Sequence, residues 1–128
     1  MTGWDPAATA LLGILPRAAR GPRREGVFAL WLTVRVAQDL LRDPPPAERA
    51  HRRRLQALEQ RLTSLTLPPP LRRALAAAIS QLREARAETA AQVLSQLVAP
   101  ARESAGTEAG DALAQAARAA RAAVRAER

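Results

Sequence analysis

Arginine carries the positive charge of this chain and most of its potential for chemistry. All 20 basic residues are arginines, and lysine, cysteine, tyrosine and asparagine are absent. A guanidinium group stays protonated and binds carboxylates and phosphates through paired donors, but it does not shuttle protons or attack carbonyls. Without thiols, lysine amines or phenols, most covalent nucleophiles and all thiolate zinc sites are excluded. The composition therefore favours binding over catalysis.

The remaining candidates for catalysis or metal binding are one histidine and one pair of carboxylates. His51 has no partner at a spacing typical of a catalytic triad, and it begins the apolar stripe of a predicted helix. We interpret it as an ordinary half-buried histidine. Glu84 and Glu88 alternate with Arg83 and Arg86 and lack the histidine of helical carboxylate metal sites. We interpret them as ion pairs on one helix face, and we predict no catalytic residue, metal or cofactor.

Two arginine clusters are the strongest candidates for contacts with an anionic partner. One occupies the first turns of a predicted helix, where the helix dipole disfavours cations, and the other recurs along one face of the last helix. Their members are Arg49, Arg52, Arg53 and Arg54 in the first cluster, and Arg118, Arg121, Arg125 and Arg128 in the second. The net charge of +8 suits an acidic protein or a nucleic-acid backbone. The alternative is a solvated surface that reflects a GC-rich, bacterial-like composition.

The second predicted helix is expected to be central, and it poses a packing problem. Its polar stripe includes Arg35 and Asp39, yet Phe28 and Trp31 fall on the same side. Something must cover these two rings, which are also the apolar candidates for partner contact. We expect cover from the leucines of the first helix, with a partner protein as the alternative. Because Trp4 is the only other aromatic residue, the chain offers no obvious platform for base stacking.

Proline breaks and leucine spacing predict an all-α fold, since β-branched residues are few and never alternate with polar ones. The predicted helices span residues 5–15, 26–43, 46–66, 70–99 and 107–127. We expect the first four to form an antiparallel helical bundle over residues 1–100, ending at Pro100. Residues 101–128 are predicted to form a linker and a basic helix rich in arginine and alanine. Because only Leu113 and Val124 are large and apolar there, this helix is expected to attach loosely.

The sequence therefore predicts a non-catalytic helical interaction protein, a small basic subunit or adaptor of a larger assembly. The expected partner is another protein or a second copy of the chain, with no small-molecule substrate evident. The alternative is a protein that binds the nucleic-acid backbone without sequence preference, through the two arginine clusters. The most apolar run, residues 27–34, is too short to span a membrane, and the absence of cysteine fits a cytoplasmic protein.

Overall fold

The computed structural model describes residues 5–18 and 20–126, and every regular element in these ranges is helical. The prediction of an all-α fold is confirmed. Six α-helices lie in the described ranges, and a short 3-10 helix at Leu15–Arg17 follows the first of them. The helices are α1 (Asp5–Ile14), α2 (Pro22–Asp39), α3 (Glu48–Thr63), α4 (Pro69–Leu82), α5 (Ala87–Ala105) and α6 (Thr107–Ala126). Within the described ranges, none of them combines the length and the apolarity that crossing a bilayer requires.

Helix α2 occupies the centre of the fold, as its sequence predicts, and contacts each of the other five described α-helices. Val27, Leu30 and Val34 of α2 are completely buried. Leu71 of α4 and Leu94 of α5 belong to the same core cluster and are also completely buried. Because each fully buried leucine or valine contributes about 1.5–3 kcal/mol, this core is the main source of stability.

The predicted helix over residues 70–99 is divided into two helices. Helix α4 ends at Leu82, and α5 begins at Ala87 after Arg86 adopts an extended backbone with φ −127° and ψ 149°. The stretch from residue 83 to residue 92 contains no large apolar side chain. Because nothing there fixes a straight helix in the core, the chain turns, and α5 packs against both α4 and α2.

Pro100 does not end a helix, which corrects the predicted boundary. It lies inside α5, and the helix continues to Ala105. A proline in a helix interior removes one backbone hydrogen bond and costs about 3 kcal/mol. Ala101 and Ala105 beyond it are buried, and α5 shares its most extensive contact with α6. Tertiary packing thus overrides the local break.

Helix α6 is not loosely attached, which corrects a second expectation. It packs against α5, α1 and α2. Its buried residues are small apart from one leucine, and they are Ala109, Gly110, Ala112, Leu113, Ala116, Ala117 and Ala120. A Cβ atom added at Gly110 would lie 2.6 Å from Cβ of Arg102. Helices α5 and α6 therefore lie so close together that many contacts between small side chains take the place of a few contacts between large ones. Gly106, with a φ of +103°, makes the reversal between α5 and α6.

Candidate binding groove between α2 and α3

An open groove of about 580 Å³ lies between α2 and α3. Its α2 wall consists of residues that recur three or four positions apart, which places them on one helix face. Its α3 wall includes two arginines seven positions apart, about two helical turns. The aromatic and charged residues of this α2–α3 groove are Phe28, Trp31, Arg35, Asp39, Arg54 and Arg61.

Two aromatic rings and two guanidinium groups form a four-residue stack in the groove. The rings of Phe28 and Trp31 are stacked with centroids 6.0 Å apart and planes 21° apart. The Arg35 guanidinium carbon lies 5.0 Å from the centroid of the Trp31 ring. The Arg61 guanidinium carbon lies 5.4 Å from the centroid of the Phe28 ring. Because Arg61 belongs to α3 and the other three residues to α2, the stack also joins the two helices.

The leucines of α1 do not line the groove that holds the rings of Phe28 and Trp31, so the expected cover is not seen on the groove side. Leu11 is completely buried in the core, and Leu12 of α1 is 45% exposed. Among the described residues that line the α2–α3 groove, none comes from α1. The guanidinium groups of Arg35 and Arg61 lie over the two rings, Trp31 also packs against the core, and both rings stay half-buried. A sequence wheel misses this because it treats arginine as polar and ignores its attraction to an aromatic face.

Asp39 forms ion pairs with two arginines at the end of the groove that lies away from Phe28. Its Oδ1 lies 3.2 Å from Nε of Arg42, and its Oδ2 accepts a hydrogen bond of 3.1 Å from Nη1 of Arg54. The Asp39 side chain is 17% exposed, whereas that of Arg54 is 47% exposed. In contrast, Arg35 and Arg61 have no carboxylate partner among the described residues. Asp39 thus offsets only one of the two positive charges beside it, whereas the charges of Arg35 and Arg61 are unpaired within the described part of the chain.

The first arginine cluster is exposed, as its sequence position suggests, but its members face different surroundings. Nη2 of Arg52 lies 2.6 Å from Oε1 of Glu48 in the same helix. Of the four, Arg54 alone lines the α2–α3 groove. Arg49 and Arg53 have no carboxylate partner among the described residues. Arg61 was not among the predicted contacts, although its position seven residues after Arg54 places it on the same helix face.

The second arginine cluster forms an exposed face of α6. Arg118, Arg121 and Arg125 are all exposed, and Arg121 donates a hydrogen bond of 2.8 Å to Oγ of Ser95 on α5. Arg128 lies outside the described residues. In the described chain, α3 and α6 do not contact each other. The two helices that carry the arginine clusters therefore do not pack directly against each other.

His51 is completely buried rather than half-buried, which corrects its interpretation. Its Nε2 lies 2.7 Å from the backbone carbonyl oxygen of Leu82, and Nδ1 has no hydrogen-bond partner. Because a carbonyl oxygen only accepts, Nε2 is the donor. His51 thus has one hydrogen bond in the core and no exposed surface.

Glu84 and Glu88 do not share a helix face. Glu84 lies in the turn before α5, where it pairs with Arg86 at 3.1 Å, and Glu88 lies in the first turn of α5. Arg83 pairs instead with Glu59 of α3 at 3.6 Å. Across the described part of the chain, no three histidine or carboxylate side chains come close enough to hold a metal ion. The α2–α3 groove is the site with the most distinctive chemistry.

Comparison of the chain with models of protein families, with curated protein sequences and with solved structures finds no match.

Proposed function

We propose that the protein is a non-catalytic helical interaction protein, a small basic subunit or adaptor that binds an acidic protein partner through the α2–α3 groove. One observation carries this proposal. Arg35 and Arg61 lie over half-buried aromatic rings and have no carboxylate partner among the described residues. A carboxylate that approaches them meets guanidinium groups already held in place, so less side-chain entropy is lost on pairing.

The composition of the groove supports a protein partner. Tryptophan and arginine are the residues that most often dominate the binding energy of protein interfaces. The rings of Phe28 and Trp31 stack on each other and carry a guanidinium group each, so their faces are poorly available to nucleic-acid bases. A second copy of the chain would bring the same charge of +8 and be repelled.

The second candidate function is binding to a nucleic-acid backbone without sequence preference. The exposed face of α6 favours it, because Arg118 and Arg125 have no carboxylate partner among the described residues. Such binding would weaken steeply as salt concentration rises, since it depends on the release of counterions from phosphates. It would also use α6 rather than the α2–α3 groove.

Two double variants with equal charge changes distinguish these functions. Arg35→Ala with Arg61→Ala alters the groove, and Arg118→Ala with Arg125→Ala alters α6. The ligands are a labelled amphipathic helical peptide, with leucine on one face and glutamate on its flanks, and a labelled duplex DNA. Fluorescence anisotropy at about 0.05 M salt, where charge interactions are weakly screened, reports the affinities.

The proposed function requires that the groove variant lose about 10-fold in peptide affinity while the α6 variant stays within about twofold of the wild type. Tight DNA binding that only the α6 variant loses would support the second function. Absence of peptide binding to the wild type, or equal losses in both variants, would contradict the groove as the binding site.

A further inference from the structure

We infer that Asp39 is an internal competitor of the acidic partner: its carboxylate occupies at Arg54 the place that a carboxylate of the partner takes in the complex. This inference rests on the proposed function and adds an autoinhibitory contact to it. The occupant is an acidic, amphipathic helix of a partner protein.

The geometry of Asp39 resembles that of a bound ligand carboxylate. Both of its oxygens are used, one by Nε of Arg42 at 3.2 Å and the other by Nη1 of Arg54 at 3.1 Å. The Asp39 side chain is 17% exposed, while those of Arg42 and Arg54 are 61% and 47% exposed. Both arginine side chains are therefore accessible from solvent although a carboxylate already binds them, and Arg54 is the one that lines the groove.

The distribution of charge along the groove matches a short helix. At one end Arg61 lies over Phe28, and at the other Arg54 pairs with Asp39. Arg54 and Arg61 are seven residues apart on α3, which at ~1.5 Å per residue is about 10 Å, or two helical turns. A partner helix with an apolar stripe and carboxylates about two turns apart complements both the rings and the two basic ends.

Docking of such a helix exchanges one ion pair for another at Arg54. The bond from Arg54 to Asp39 is released, and an equivalent bond to the partner carboxylate forms, so the number of ion pairs at this end does not increase. The gain in affinity comes from Arg35, Arg61 and the rings. Asp39 thereby discriminates against ligands that offer a carboxylate but no apolar stripe.

The test compares Asp39→Asn with Asp111→Asn in the full chain. Asp111 pairs with Arg102 of α5 at 3.0 Å, so its substitution also removes one negative charge, together with one ion pair where Asp39→Asn removes two, and it does so outside the groove. We expect Asp39→Asn to bind the leucine–glutamate peptide about fivefold more tightly than the wild type, and Asp111→Asn to stay within about twofold. A peptide with glutamine in place of glutamate should not discriminate among the three proteins.

A double variant, Asp39→Asn with Arg54→Gln, makes the test independent of net charge. It removes the competitor together with its arginine, and it should return the affinity to the wild-type value or below. Equal affinities for wild type and Asp39→Asn, or equal gains in Asp39→Asn and Asp111→Asn, would overturn the inference while leaving the proposed function intact. Failure of the peptide to bind any of these proteins would instead overturn the proposed function.

Discussion

The imidazole of His51 donates a hydrogen bond of 2.7 Å to the backbone carbonyl of Leu82. Leu82 is the last residue of α4, where carbonyl groups lack partners within the helix. His51 belongs to α3, so this bond satisfies a helix end and joins two elements at once. It shows that the single histidine of the chain has a structural role.

Replacement of His51 by leucine should destabilise the fold by about 1–3 kcal/mol, because the buried carbonyl of Leu82 loses its donor. His51→Gln, whose amide can donate to the same oxygen, should cost less. Arg53→Ala, an exposed change in the same helix, should stay within about 0.5 kcal/mol of the wild type. Urea unfolding followed by circular dichroism measures all three, and a fully stable His51→Leu protein would contradict the structural role.

The same substitution at two glycines should have opposite effects. Gly110→Ala places a Cβ atom 2.6 Å from Cβ of Arg102 at the α5–α6 contact, so it should destabilise the protein by about 1–3 kcal/mol. Gly13→Ala in α1 meets no atom within 4 Å and should stabilise by about 0.5 kcal/mol through helix propensity. Thermal unfolding measures the difference. If Gly110→Ala were neutral, α5 and α6 would not approach as closely as described.

Pro100→Ala should stabilise the protein by about 1–3 kcal/mol, because it restores a backbone donor in the interior of α5. Pro22→Ala is the matched control, since Pro22 is the first residue of α2, where proline is favourable. The control should be neutral or slightly destabilising. Chemical unfolding curves of both variants test this, and a loss of stability in Pro100→Ala would mean that α5 depends on its proline.

Arg61→Ala should change the emission of Trp31, because it removes one end of the four-residue stack. In a Trp4→Phe background Trp31 is the only tryptophan, so its emission maximum reports the groove alone. The stability cost should be about 0.5–1 kcal/mol, the usual value of an exposed cation–π contact. Arg73→Ala on α4 is the control. An unchanged emission spectrum in Arg61→Ala would indicate that the stack does not persist in solution.

The leucine pattern allowed the helical core to be predicted. His51, Leu55, Leu58 and Leu62 recur four, three and four residues apart, and all four are buried in α3. A periodicity of this kind depends only on the local helix, so it can be recognised without knowing the neighbours. The central position of α2 was likewise expected from the sequence of that helix alone.

The remaining features depend on contacts between distant residues. The position of Arg61 over Phe28 requires the relative placement of α2 and α3, which no local pattern specifies. The continuation of α5 beyond Pro100 depends on packing across the α5–α6 contact. The small apolar area of alanine suggested that α6 attaches weakly. The sequence does not show how closely α5 and α6 approach each other at Gly110.

The alanine lining of α6 also lowers the entropic cost of folding. Burial of a leucine or arginine restricts several rotatable bonds, whereas alanine has no side-chain rotamers to lose. Ala109, Ala116 and Ala120 therefore become ordered at the expense of backbone freedom alone. The C-terminal helix is thus fixed by side chains that lose no rotamer freedom, while its arginines stay on the outside.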